Sequence, residues 1–180
     1  MILAAIVVPA YILANRHLGG DPAPEDVVRG EVERRAAGLT ESLDDPKTGI
    51  SARWPAAWDR RERDGAVAFR SPNAKMVISI STPAPARDAD ELRKGAISSI
   101  EEEYRKAKIQ HGKGRTIGGL PAKGAVINAR QRSGDPARIL VAVARGRKRS
   151  YLLQVVSAPG TPSDTLIDGQ LILSSIRLSR

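Results

Sequence analysis

Few side chains in this 180-residue sequence are of a kind that does chemistry, and their spacing limits what they can do. There is no cysteine, which excludes a thiol nucleophile, a Cys-ligated zinc site and a disulfide framework. Of the two histidines, His17 and His111, only His111 lies in the region patterned to fold, so no second histidine is at hand to complete a transition-metal set. No Gly-x-Ser-x-Gly motif occurs. The run Gly112-Lys113-Gly114-Arg115-Thr116-Ile117-Gly118-Gly119 is glycine-rich, but a phosphate loop needs Gly-Lys followed at once by Ser or Thr, and Gly114 stands there instead. Glu101, Glu102 and Glu103 occupy consecutive positions of a helical pattern, so they diverge by about 100° each and cannot converge on one ion. The sequence therefore assigns no catalytic, cofactor-binding or metal-binding residue, and it reads as non-enzymatic.

The remaining candidates are basic. Arg145, Arg147, Lys148 and Arg149 cluster at one turn and form a candidate anion-binding tip. Arg130, Arg132 and Arg138 fall near the opposite turn. The formal charge is +9 and is unevenly placed: residues 21–50 hold eight acids against four bases, so the basic excess lies beyond residue 50. Such a balance favours anionic partners, whether anionic lipid, a wall polymer or nucleic acid. Aromatics make up only 3% of the chain, so nucleic acid, which is gripped by stacking, is the least favoured. A solvated turn that discourages strand-edge pairing is the simpler role for the same residues. Arginine outnumbers lysine, which suggests a GC-rich bacterial source.

The tip belongs to the stretch that organises the chain, Arg138 to Ala158. Two aliphatic runs flank Gly146-Arg147-Lys148, the signal of a β-hairpin. Ile139, Val141 and Val143 alternate with Leu140, Ala142 and Ala144, and the second strand is likewise apolar on both sides. A sheet with one wet face would be apolar at alternate positions only. Helices are therefore expected on both faces, with Ala142 and Ala144 small enough for a helix to approach closely. The spacing of Leu92, Ala96, Ile100 and Tyr104, after a cap at Asp88 or Asp90, predicts one covering helix; Leu166 to Ile176, capped by Ser163, predicts the other. Residues 50–82 read as an antiparallel meander turned by Asp64-Gly65 and by Ser71-Pro72-Asn73-Ala74, and strands are also expected near 108–111 and over 122–131.

Upstream, Met1 to Ala14 carries no charge. As a helix it is about 21 Å long against a hydrocarbon core of roughly 30 Å. A membrane anchor, an uncleaved signal and a buried core helix all fit this run. The lack of a basic n-region and of a small-residue cleavage site favours the anchor; if Met1 is a misassigned start, upstream residues should extend the apolar run and add basic residues. Gly19 to Pro24 is a linker by composition. Val28, Val32, Ala36, Leu39 and Leu43 then mark one helical stripe. The expected organisation is a hydrophobic anchor helix over 1–18, an acidic linker and amphipathic helix over 19–48, and an α+β domain over 49–180.

That domain resembles the PsbP-like αβα sandwich. The resemblance rests on Trp54-Pro55-Ala56-Ala57-Trp58, Phe69-Arg70-Ser71-Pro72, Gly119-Leu120-Pro121-Ala122, Tyr151 to Val155 and Ile172-Leu173-Ser174-Ser175-Ile176, in that order along the chain. It implies an antiparallel sheet sandwiched between helices and a binding or assembly role, and it transfers no catalytic residues. The expectation is a membrane-anchored, extracytoplasmic, single-pass binding or assembly module that engages a protein partner. The alternative is a basic anion-binding domain that uses the 145–149 tip.

Overall fold

The computed structural model describes residues 33–83, 88–112 and 114–179. The expected anchor over 1–18 and the first part of the expected 19–48 segment, through residue 32, lie outside the described residues. Among the described residues, no helix is long and apolar enough to cross a membrane.

The chain forms two antiparallel sheets. The larger contains β3 (Asp59–Arg63), β4 (Ala66–Arg70), β5 (Met76–Ser81), β6 (Arg105–His111), β7 (Arg115–Ile117), β8 (Leu120–Arg130), β9 (Pro136–Arg145) and β10 (Ser150–Ser157). Its spatial order is β3-β4-β5-β10-β9-β8-β6, with β7 paired to β8 beside that path. The smaller sheet is β1 (Glu41–Asp45), β2 (Ile50–Trp54) and β11 (Arg177–Leu178), with β2 central. Helix α1 (Ala89–Glu103) connects β5 to β6, and helix α2 (Ser163–Ser175) follows β10. Local chemistry explains the boundaries. Asp64 and Gly65 both take positive φ (49° and 77°), the backbone of a two-residue hairpin turn whose twist matches its strands. The Asp88 carboxylate accepts the Asp90 N–H at 2.8 Å and caps α1.

The expected central hairpin is β9–β10, with Ser150 opposite Arg145 and Ser157 opposite Arg138. Its two faces feed two cores. On the first face Ala125, Ile127, Ile139 and Val141 bury against Ala96, Ile97 and Ile100 of α1. On the second, Leu153 and Val155 join Ile78, Phe69, Trp54 and Ile172 in a larger core. Gly169 lets α2 settle on β5, since a Cβ there would stand 2.5 Å from the Met76 methyl. Asn73 Nδ2 donates to Thr165 Oγ1 (2.9 Å), and the Arg53 N–H donates to Ser175 Oγ (2.8 Å), so each end of α2 is tied to a sheet.

Four expectations need correction. The helix expected through Leu43 ends at Gly38, and 41–45 is a strand paired with β2. Residues four apart share a face in a helix and in a strand alike, so Leu39 and Leu43 fit either periodicity; pairing with β2 decided. The meander over 50–82 is split, because β2 leaves the main sheet at the Pro55–Trp58 turn. Ala142 and Ala144 do not lie under a helix alone. They share a core with Ile50 and Ala52 of the small sheet. Beside them Tyr151, opposite Ala144, reaches Ser179 Oγ (2.8 Å) and the Ser179 carbonyl (3.2 Å) with its hydroxyl. Ser163 is the first helical residue rather than the cap, a place taken by Pro162.

The small sheet is clamped where β11 crosses the turn before β8. Gly118 there has φ 58°, and a Cβ would stand 2.5 Å from Leu178 Cγ and 2.9 Å from its backbone nitrogen. Gly118→Ala should cost roughly 2–3 kcal/mol in denaturant unfolding. Gly95, helical with nothing within 4 Å, is the counterpart: Gly95→Ala should stabilise by about 0.5–1 kcal/mol.

Candidate functional site

The chemistry-bearing residues gather first at the start of α1. Lys123 Nζ donates to Asp90 Oδ2 at 2.8 Å, and Arg93 Nη2 lies 3.6 Å from the other oxygen. Arg93 Nη1 meets His111 Nδ1 at 3.2 Å. Arg145 Nη1 is 3.5 Å from Asp88 Oδ2. The Lys123 hydrogen bond holds the Asp90 carboxyl below its ordinary 3.8 against the opposing effect of desolvation, with the charges of Lys123, Arg93 and Lys94 adding to the lowering. His111 is thus a neighbour of a guanidinium. Arg93 Nε is the only buried side-chain polar atom without a partner among the described residues. The network orients α1 and presents no nucleophile with an adjacent base.

The 145–149 tip is less concentrated than its sequence suggests. Arg145 turns toward Asp88, and Arg149 Nη1 donates to the Lys47 carbonyl, tying the hairpin to the loop before β2. The loop closes with the Gly146 N–H donating to the Arg149 carbonyl (3.0 Å). Of the four tip cations, only Arg147 and Lys148 have neither an ion pair nor a side-chain hydrogen bond among the described residues. Glu101, Glu102 and Glu103 are exposed at the end of α1, and no group of three or more His, Cys, Asp or Glu among the described residues is arranged to hold a metal ion.

The more informative surfaces are the parts of the large sheet that its covers leave open. On the first face, α1 packs on β6, β8 and β9 and reaches β10. Beyond it the register sets Gln154 beside Ser79, Ser79 beside Ala68 and Ala68 beside Arg61; the next row runs Leu152, Ser81, Ala66, Arg63. Apart from the two arginines these residues are half-buried, and the small side chains of Ala66, Ala68, Ser79 and Ser81 form a low stretch, the trough, between α1 and the charged edge strand β3.

On the second face, α2 and the small sheet sit over the β5 side, leaving the far ends of β6, β8 and β9 open. There Lys108 pairs with Asn128 and Asn128 with Arg138, while Arg105 stands directly opposite Arg130. All five are exposed. Arg130 and Arg138 were visible near their turn in the sequence; Arg105 and Lys108 were not. A bulge between 105 and 108, with Lys106 at φ 53°, puts Arg105 and Lys108 on one face although they are three positions apart. Without a glycine at the bulge, simple alternation assigns Arg105 to the face of Ala107 and Ile109. Around the corner, Glu103, Tyr104, Gln131, Arg132 and Ser133 line an open hollow of about 540 Å³. Partial burial, and secondarily the Glu103 charge, pushes the Tyr104 phenol above its ordinary 10.0.

No protein-family model matches the sequence, and no curated protein is significantly similar to it. Solved structures do share its fold. Cyanobacterial PsbP (CyanoP) from Synechocystis superposes with a TM-score of 0.54 at 15% identity, over 77% of this chain and 91% of that one. The Ran-binding protein Mog1p of Saccharomyces cerevisiae gives 0.53 at 9% identity, over 77% and 94%. A Bacteroides thetaiotaomicron protein gives 0.53 at 10% identity over 79% of this chain, which spans only 49% of that protein's length. The fold is PsbP-like, as the order of motifs implied.

Since the Asp90 carboxyl is held below its ordinary value, its contribution to stability is present above the unfolded-state value and is lost as pH falls through the folded-state midpoint. Lys123→Gln should move the Asp90 midpoint, read by NMR titration of the side-chain carboxyl, up toward 3.8. An unmoved midpoint would show that the 2.8 Å contact does not form in solution.

Proposed function

We propose that this chain is a non-enzymatic binding or assembly module, tethered to a membrane through residues 1–18 with the α+β domain on the extracytoplasmic side. The observation that carries the binding role is the trough on the first face, where Ser79, Ser81, Ala66 and Ala68 leave backbone close to the surface beside a rigid helix. Low side chains on an uncovered stretch of sheet admit a partner's helix or strand, whereas catalysis needs convergent titratable groups in a recess. Those groups here are engaged in orienting α1 or spread over the surface. The fold is compatible with partner binding: Mog1p, built on the same scaffold, is a Ran-binding protein. The tether rests on the uncharged run Met1–Ala14.

Two measurements test this reading. In cells, the full chain should stay with membranes through a carbonate wash and be digested when intact cells are treated with protease; recovery in the soluble fraction, or protection from protease, removes the tether or its orientation. A photocrosslinking residue at Ser79 should capture one discrete partner that the same residue at Ser98, on the exposed side of α1, does not. Equal capture at both positions, or none at either, argues against the trough.

A further inference from the structure

We infer that the open corner of the second face, carrying Arg105, Lys108, Arg130 and Arg138 with Lys106 and Arg132 beside them, is a docking surface for an anionic phospholipid bilayer. This rests on the tethered reading above and deepens it, because it states which side of the domain faces the membrane.

All six cations are exposed, and they come from three adjacent strands and the turn joining two of them. Arg105 stands directly opposite Arg130, with Lys108 one row away, so like charges are neighbours on one face, an arrangement that is unfavourable on its own. Among the described residues Arg105, Lys106, Lys108 and Arg132 have no ion-pair partner. Arg130 is steadied by its bond to the Gly134 carbonyl (2.8 Å), and Asp135 in the same turn is engaged by Ser133 Oγ (2.8 Å). An array of negative charge laid over the corner removes the repulsion.

The shape of the corner selects among anions. It is the edge of a sheet and the end of a hairpin, and the hollow beside it is open rather than enclosing. The aromatic rings that could stack on bases are mostly inside: Trp54, Trp58, Phe69 and Tyr151 are all buried. What remains is an exposed cluster of long cationic side chains, which suits a surface of many headgroups. It holds more cations than the 145–149 tip, where Arg145 and Arg149 are engaged in holding the fold.

The chain has no cysteine, so one introduced thiol gives a unique label. Gln110→Cys, exposed on the same face of β6, carries an environment-sensitive fluorophore; Glu62→Cys at the opposite sheet edge is the control. The full chain is mixed with phosphatidylcholine vesicles with or without phosphatidylglycerol. The label at 110 should respond only to the anionic vesicles and lose its response at high salt, while the label at 62 stays silent. Arg105→Glu with Lys108→Glu should weaken the response about tenfold or more, with unchanged circular dichroism. A silent label at 110, an equal response to neutral vesicles, full retention of the response in the charge-reversed variant, or the same response to soluble polyphosphate without vesicles overturns the inference. Sedimentation reports the tether separately: a chain that pellets with neutral and anionic vesicles while label 110 stays silent keeps its tether and loses its docking corner. A chain that pellets with neither loses both.

Discussion

The width of the sheet against the width of its covers sets the rest of this structure. A helix about 10–12 Å across spans two to three strands spaced about 4.8 Å apart. The large sheet has seven strands along its main path, and among the described residues two long helices pack on it. Each helix buries one end of one face: α1 over β6, β8 and β9, and α2 with the small sheet over β5 and its neighbours. The covers lie at opposite ends on opposite faces, so each face keeps an open half.

The amino acids follow that division. Where a cover lies, the strands are aliphatic on the covered side: Ala125, Ile127, Ile139 and Val141 under α1, and Met76, Ile78 and Ile80 on the side of α2. Where it does not, the first face turns to Ser, Ala and Gln, and the second to Lys, Arg and Asn. The central hairpin is apolar on both sides because it lies where the two covers overlap. The small sheet completes the second cover, and it is held by specific bonds as well as by apolar contact. The Tyr151 hydroxyl reaches Ser179, and the Arg149 guanidinium reaches Lys47. Arg149, one of the four candidate tip residues, thereby also ties the hairpin to the small sheet.

Much of the architecture was legible along the chain. Asp64-Gly65, Ser71 to Ala74 and the Ser133-Gly134-Asp135-Pro136 turn mark strand ends through backbone chemistry that is local. The alternation of Met76, Ile78 and Ile80 and the spacing of Ala96 and Ile100 identify buried faces because periodicity and burial are the same fact seen twice. Less was legible where one pattern fits two structures. Leu39 and Leu43 satisfy helix and strand alike, and the division of the strands between two sheets leaves no trace in composition.

By itself the sequence determined most strands of the large sheet, the two long helices, the double apolar face of the hairpin and the excess of positive charge. Each of these is a property of neighbouring residues. The tertiary structure alone decided where the charge goes. Arg145 and Arg149, four apart at one turn, separate toward Asp88 and Lys47, while Arg105 and Arg130, distant in the chain, come face to face. The reason is register: strand pairing across a bulge sets which side chains share a surface, and pairing is chosen by the whole sheet.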